Sequence, residues 1–225
     1  PVRIAVAVLT YNQFANDRET LFKDAVASLR YNAEQPIDLY VVDNGSTDGT
    51  RELVREMGGY CYTGSNTTSG HGTNLCARIT RGSDADLCVL SDDDMIWHDQ
   101  WDTHLRDWWT HVPEDVKLTG CHLEPEYPWN TIHDTIDVNG RRGLLRASTG
   151  AASWSFRNHD WPAIGPIPQV RQGWGDVPAC ERLESRGFRI AQIDLATHNG
   201  GGRSSWGNGS SDLDRHPLDR DRWGL

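Results

Sequence analysis

The first 91 residues alternate short apolar segments with segments of helical spacing, and this alternation constrains the fold more than any other feature. Continuous apolar strands joined by helices are typical of a parallel sheet that is covered by helices on both faces. We therefore expect an α/β fold. The expected strands are residues 2–9, 37–44, 59–63 and 85–91, and the expected helices are residues 19–32, about 50–57 and 72–81.

The remaining sequence predicts a second half of mixed character. We expect helices at 99–111 and 176–186, strands at 116–123 and 188–198, a loop or hairpin at 124–143, and a long strand-like segment at 144–158. No internal repeat or linker divides the chain, so we expect a single domain. Its predicted parts are residues 1–95, residues 96–205, and a flexible tail or lid at 206–225.

Composition excludes some classes of function. The chain of 225 residues has a formal net charge of −10, which argues against nucleic acid or an anionic membrane surface as the main partner. Its five cysteines form no CxxC pair and are odd in number, which favours reduced thiols in a cytoplasmic protein. No segment reaches the roughly 18 apolar residues of a transmembrane helix, so we expect none.

Three consecutive aspartates, Asp92–Asp94, follow the fourth predicted strand. Adjacent carboxylates repel each other, and alternate residues of an extended chain point to the same side, so Asp92 and Asp94 could share a cation. Mg²⁺ and Mn²⁺ prefer such oxygen ligands, and an added imidazole favours Mn²⁺. The alternative is a cluster that caps the 99–111 helix.

Two other polar residues end predicted strands, Asp43 after the second and His198 after the last. In parallel α/β sheets, ligands bind beyond the carboxyl ends of the strands. Chain topology could therefore bring Asp43, the triplet and His198 to one edge. A structural role for a lone strand-end histidine remains the alternative.

Six motifs follow one another along the chain: "TYN" at 10–12, "VVDNGSTDGT" at 41–50, "GHGTNLCARI" at 70–79, "VLSDDDM" at 89–95, "GWGDVPACERLESRGFRI" at 173–190 and "THNGGGRSS" at 197–205. In this order they resemble the family 2 glycosyltransferases of the GT-A fold. The resemblance covers about residues 1–205 and implies a mostly parallel nucleotide-binding sheet, with a nucleotide-binding half at 1–95 and an acceptor or catalytic half at 96–205. It also implies a nucleotide-sugar donor, a Mn²⁺ or Mg²⁺ cofactor and an inverting reaction.

The resemblance also implies roles for individual residues. Asp94 and His198 would be the metal ligands, and Asp176 would be the general base. Asp43 would bind the nucleobase, or alternatively would be a strand-end turn residue. A helix cap is the alternative role for Asp176, and the two roles are compatible. The full nucleotide-binding set is Thr10, Tyr11, Asn12, Asp43, Arg78, Asp92 and Asp93.

The function implied is transfer of a sugar from a nucleoside-diphosphate sugar, with UDP favoured, to an acceptor hydroxyl. The acceptor could be a sugar, a glycan, a protein or a small molecule. Gly175 and Pro178 replace two acidic residues of the family's base motif. A nucleotidyltransferase and an inactive nucleotide-sugar-binding module are the alternatives. No phosphate-binding Gly-rich loop follows the first strand, which argues against the former.

Overall fold

The computed structural model describes residues 2–57, 61–63, 68–124, 130–168 and 175–199. Its strands are β1 Ile4–Thr10, β2 Asp38–Asp43, β3 Cys61–Thr63, β4 Leu87–Asp92, β5 Met95–Trp97, β6 Val116–Gly120, β7 Ile132–Val138, β8 Arg141–Arg146, β9 Ser153–Arg157, β10 Arg189–Gln192 and β11 Ala196–His198. Its helices are α1 Glu19–Tyr31, α2 Thr50–Glu56, α3 Ser69–Gly82, α4 Trp101–His111, α5 Trp161–Ile164 and α6 Asp176–Ser185, with a 3₁₀ turn at Asn158–Asp160.

A nine-stranded sheet forms the centre of the protein, in the order β3-β2-β1-β4-β9-β6-β10-β8-β7. The strands β1 to β4 are mutually parallel, and β6 is parallel to β10. The expected α/β fold is thus confirmed. Leu9 pairs with Asp92 and Thr10 pairs with Asp43, so β1, β2 and β4 end at the same edge, as parallel strands must.

Helices cover both faces of the sheet. Successive side chains of a strand point to opposite faces, so neighbouring residues of β1 belong to different core clusters. Val6 and Val8 of β1 belong to a core cluster that α1 and α4 complete, with Phe22 and Trp108 among its members. Ala7, between those two valines, belongs to a second cluster completed by α3, α5 and α6. The uninterrupted apolar sequence of β1 follows from this burial on both sides.

The strand-like segment 144–158 is two strands, which corrects the prediction of one. β8 ends at Arg146, and β9 begins at Ser153 on the other side of β6 and β10. β9 lies antiparallel between β4 and β6. The connecting turn is held by long-range bonds, including one from Asp92 N–H to the Ala152 carbonyl at 2.8 Å, which local sequence does not encode.

The predicted last strand, 188–198, is likewise two strands. β10 joins the large sheet, whereas β11 pairs with β5 in a separate two-stranded sheet. The break follows from the backbone of Cys121, whose carbonyl accepts hydrogen bonds from Leu195 and Ala196 at 2.9 and 2.8 Å. β5 itself was not predicted, since three residues are too few for a periodic signal.

The predicted loop or hairpin at 124–143 includes a hairpin, in which β7 and β8 flank Asn139 and Gly140. Both turn residues have positive φ, 51° and 79°, as a two-residue Asn-Gly turn requires. Helix α3 begins at Ser69 and not at 72, because the Thr68 hydroxyl accepts a hydrogen bond from the backbone N–H of His71 at 3.0 Å.

The predicted tail or lid at 206–225 lies outside the described residues, and the division into halves stays a prediction. Within the described ranges, no helix combines the length and the apolar character needed to cross a bilayer.

Candidate active site

The aspartate triplet lies at the carboxyl edge of the sheet, where β4 ends and the chain turns into β5. Asp93 and Asp94 are 6% and 3% exposed, and Asp92 is half-buried. Because β5 pairs with β11, Met95 lies opposite His198. This pairing brings His198 Nε2 to 3.3 Å from Asp94 Oδ2. The predicted meeting of Asp94 with His198 is therefore present in the structure.

A guanidinium that the sequence did not reveal lies between two of the aspartates. Arg18 Nη2 donates to Asp93 Oδ1 at 2.8 Å and to Asp94 Oδ2 at 2.7 Å. Gln13 Nε2 donates to the other oxygen of Asp93 at 2.6 Å. Both residues lie in the loop between β1 and α1, some 75 residues before the triplet, so only the parallel pairing of β1 with β4 brings them together.

Burial and mutual repulsion raise the pKa of two of these carboxyls. The pKa of Asp92 rises to about 7, first through burial and then through the charges of Asp94 and Asp93. Burial also raises the pKa of Asp93 to about 6, although Arg18 opposes the change. The site thus holds more negative charge than its own protein environment stabilises.

Asp94 and His198 stabilise each other's charged forms. Burial acts to raise the pKa of Asp94, but the hydrogen bond and charge of His198 and the charge of Arg18 outweigh it and lower that pKa. Burial acts to lower the pKa of His198, and the hydrogen bond and charge of Asp94 outweigh it and raise that pKa. The two side chains therefore form a tight polar pair.

The residues present fit a divalent cation. Asp94 Oδ1 is buried without a hydrogen-bond partner, and a buried carboxylate oxygen in that state is destabilising unless a cation binds it. In the described part of the chain, no three His, Cys, Asp or Glu side chains converge as a complete metal site. Mg²⁺ and Mn²⁺ commonly complete their coordination with phosphate oxygens and water, which matches a partial protein ligand set.

The predicted nucleotide pocket is a pair of interlocked loops. The Thr10 carbonyl accepts from Asn44 N–H at 2.8 Å, and Asn12 N–H donates to the Ser46 hydroxyl at 2.8 Å. The amide oxygen of Asn12 in turn accepts a backbone hydrogen bond from the second loop. Tyr11 is 37% exposed at the tip of the first loop. The triplet at the end of β4 lies beside these loops, because β1 is the neighbour of both β2 and β4 in the sheet.

Asp43 is fully buried at the end of β2. Its Oδ1 accepts from Ser46 N–H at 2.9 Å, and its Oδ2 accepts from Arg51 Nε at 2.8 Å. The carboxylate therefore holds the turn that follows the strand, the alternative role considered from the sequence. Each carboxylate oxygen has a second lone pair, and the nucleobase contact stays a prediction.

Arg78 is the one predicted nucleotide-binding residue on helix α3. Its side chain is exposed on α3, and among the described residues no hydrogen bond or ion pair connects it to the triplet. Its contact with a diphosphate also stays a prediction.

Asp176, the predicted base, is the first residue of α6, and its Oδ1 accepts a hydrogen bond from its neighbour Val177 N–H at 3.0 Å. Burial raises its pKa, against the backbone N–H groups that lower it. One of these is the N–H of Ala151, and the adjacent Ala152 carbonyl accepts from Asp92. The turn at 147–152 thus bonds to the end of the triplet strand and lies close enough to Asp176 to affect its pKa.

A second carboxylate, Glu124, lies beside Asp176. Glu124 Oε1 accepts from Gly150 N–H at 2.6 Å, and Oε2 accepts from Asn130 Nδ2 at 2.9 Å. Burial raises the pKa of Glu124, and the charge of Asp176 adds to that effect. Sequence reasoning missed Glu124, although an acidic residue directly after the predicted strand 116–123 was the same signal that identified Asp43.

His122 is a further residue that the sequence did not single out. Its ring centroid lies 6.2 Å from that of His198. Burial, followed by the charge of His198, lowers the pKa of His122 to about 4. His122 is therefore neutral at physiological pH, and it lies two residues from Glu124, between the triplet and the Asp176 region.

Comparison with solved structures supports the fold. TarS residues 1–349 from S. aureus, in complex with UDP-GlcNAc, has a TM-score of 0.61 and 13% identity, over 87% of this chain and 58% of that one. The mannosyltransferase PcManGT from Pyrobaculum calidifontis, in complex with GDP-Man and Mn²⁺, has a TM-score of 0.61 and 18% identity, over 96% of this chain and 67% of that one. At these identities the likeness shows the GT-A fold alone, as expected.

The chain spans less than two thirds of TarS 1–349, covering 62% of that fragment in a second structure and 58% in the complex with UDP-GlcNAc. No curated protein sequence matches it. The profile of the family described as Glycosyl transferase family 2 matches residues 5–146, more than half of the chain. That range contains the interlocked loops, the aspartate triplet, His122 and Glu124. The resemblance seen in the motifs is thereby confirmed, and the chain belongs to glycosyl transferase family 2.

Proposed function

We propose that this protein transfers a sugar from a nucleoside-diphosphate sugar to an acceptor hydroxyl, with a divalent cation, Mn²⁺ or Mg²⁺, as cofactor. The observation that carries the proposal is the buried, unpartnered Oδ1 of Asp94 beside His198, at the sheet edge shared with the interlocked loops. Family membership supports it. The bound UDP-GlcNAc of TarS and the GDP-Man and Mn²⁺ of PcManGT are consistent with it.

The donor would lie across the carboxyl ends of β1, β2 and β4. Its nucleoside would contact the 10–12 loop and Asp43, with UDP favoured, and its diphosphate would lie beside the triplet. Asp94 and His198 would hold the cation. Asp92 would contact the ribose or a metal-bound water, and Asp93 would also contact the nucleotide. Arg78 would reach the diphosphate from α3.

Asp176 is the proposed general base. Its carboxylate would take the proton of the acceptor hydroxyl as that oxygen bonds to the anomeric carbon. The bond from that carbon to the diphosphate breaks in the same displacement, so configuration inverts and the nucleoside diphosphate leaves. When bound, the cation would neutralise the charge that develops on the leaving group.

The environment of Asp176 suits this role. Burial raises its pKa, and a carboxylate of higher pKa is a stronger base as long as it remains ionised. The side chain is fixed at the first turn of α6 by the Val177 N–H. Gly175, and not Asp176, takes the N-cap position of α6, so the capping alternative for Asp176 is wrong.

The proposal is tested by release of nucleoside diphosphate from a panel of UDP-, GDP- and dTDP-sugars, with and without Mn²⁺, with water or a saccharide mixture as acceptor. We expect release from one donor class that requires the metal. Asp176→Asn should lose at least about 100-fold in rate and retain nucleotide binding. Asp84→Asn, which changes an exposed aspartate after α3, is the matched control. Metal-independent release, or full activity in Asp176→Asn, would contradict the mechanism.

A further inference from the structure

Arg18 has no role in the chemistry proposed above, yet within the described ranges it is the charged side chain in closest contact with the triplet. We propose that Arg18 is the permanent counter-ion of the aspartate triplet, leaving negative charge for one divalent cation. The metal part of this inference rests on the proposed function, whereas the counter-ion part does not.

The position of Arg18 is fixed from both sides. Its backbone N–H donates to the Gln13 carbonyl at 2.8 Å, and its own carbonyl accepts from Phe22 N–H at 3.0 Å. Its side chain is 13% exposed. The guanidinium therefore reaches the triplet from an anchored loop and is not a surface side chain that contacts the site by chance.

One nitrogen of Arg18 contacts two carboxylates. Nη2 lies 2.8 Å from Asp93 Oδ1 and 2.7 Å from Asp94 Oδ2. Charge-assisted bonds of this length are strong, and a guanidinium stays protonated at any physiological pH. The contact with Asp94 uses Oδ2 and leaves Oδ1 unpartnered. Arg18 thus orients Asp94 without occupying the oxygen that would bind a metal.

The formal charges give a simple balance. In the metal-bound state, a ligating His198 is neutral. Three ionised aspartates then carry three negative charges, and Arg18 supplies one positive charge. Two negative charges remain, which one divalent cation neutralises. Removing Arg18 should therefore strengthen the attraction for Mn²⁺, and removing one carboxylate as well should restore the original balance.

The test is a double-mutant cycle with Arg18→Gln, Asp93→Asn and the double variant, all measured by thermal denaturation without metal. Arg18→Gln should destabilise the protein because two buried carboxylates lose the guanidinium that bonds both of them. Asp93→Asn should also destabilise the parent. In the Arg18→Gln background, however, it should restore stability because it relieves repulsion. Equal effects of Asp93→Asn in both backgrounds would overturn the proposal.

The same four proteins are then titrated with Mn²⁺ alone. Arg18→Gln should bind Mn²⁺ about tenfold or more tightly than the parent, the double variant should match the parent, and Asp93→Asn should bind most weakly. Weaker binding in Arg18→Gln would overturn the charge balance. If no protein responds to Mn²⁺ but the cycle shows coupling, the counter-ion is supported and the proposed metal dependence fails.

Discussion

Gly150 is the residue that allows Glu124 to lie beside the proposed base. A Cβ built on Gly150 would lie 2.5 Å from Glu124 Oε1 and 3.8 Å from Asp176 Oδ2. The first distance is shorter than any normal contact, so Gly150→Ala must displace the Glu124 carboxylate. The hydrogen bond from Gly150 N–H to that carboxylate, 2.6 Å long, would then be distorted.

The expected cost of Gly150→Ala follows from these contacts. Overpacking a well-packed site costs about 1–3 kcal/mol. The lower entropy of the unfolded alanine chain opposes this by about 0.4–1 kcal/mol. We expect a net loss of about 1–2 kcal/mol, measured by urea denaturation. Gly82→Ala, where a Cβ meets nothing within 4 Å, is the control and should not destabilise.

The same substitution in the Glu124→Ala variant tests whether the clash with Glu124 is the cause of the loss. In Glu124→Ala the obstructing atom is absent, so Gly150→Ala should become neutral or slightly stabilising there. The same loss in both backgrounds would show that the clash with Glu124 is not the cause. Because the change lies on the Asp176 side, nucleotide binding should be unaffected while the rate of sugar transfer falls.

Three other outcomes follow from named contacts. Asp102 is fully buried and accepts hydrogen bonds from Arg106 and from two backbone N–H groups, so Asp102→Ala should cost about 3–5 kcal/mol in urea denaturation by leaving the arginine unpaired. Burial acts to raise the pKa of Asp48, but the hydrogen bonds from a backbone N–H and from Thr50 lower it overall. Asp48 should therefore stabilise the fold above about pH 4, and the loss in Asp48→Ala, about 1 kcal/mol, should vanish as pH falls below that. The raised pKa of Asp176 places the acid limb of the kcat/KM profile above the ordinary aspartate range, and an acid limb at or below that range would contradict its role.

The first half of the fold was predictable because its signals are local. The apolar strands 2–9, 37–44 and 85–91 are continuous because both sheet faces are covered, and the aspartate triplet is visible at the end of the last of them. Parallel pairing then places Asp43 and the triplet at one edge without further information. These steps need only periodicity and the geometry of parallel strands.

The second half depends on contacts between distant residues. The separation of β8 from β9 follows from the turn at 147–152, which bonds to the end of β4. The contact of Arg18 with Asp93 and Asp94 depends on the path of the β1–α1 loop, and no sequence pattern within that loop predicts this contact. Glu124 is an intermediate case, because its position after the predicted strand 116–123 was a usable signal, although β6 itself ends at Gly120.

The central claim is that the triplet binds a metal-bound nucleotide, and thermal stability tests it most directly. The midpoint would be measured with UDP, GDP, dTDP and CDP, each with and without Mn²⁺, for the parent, Asp94→Ala and the Asp84→Asn control. A ligand at about 100 times its dissociation constant adds roughly 2.7 kcal/mol. The account predicts a shift for one nucleotide that needs Mn²⁺, persists in Asp84→Asn and disappears in Asp94→Ala. No shift with any nucleotide, or one indifferent to Mn²⁺ and to Asp94, would contradict it.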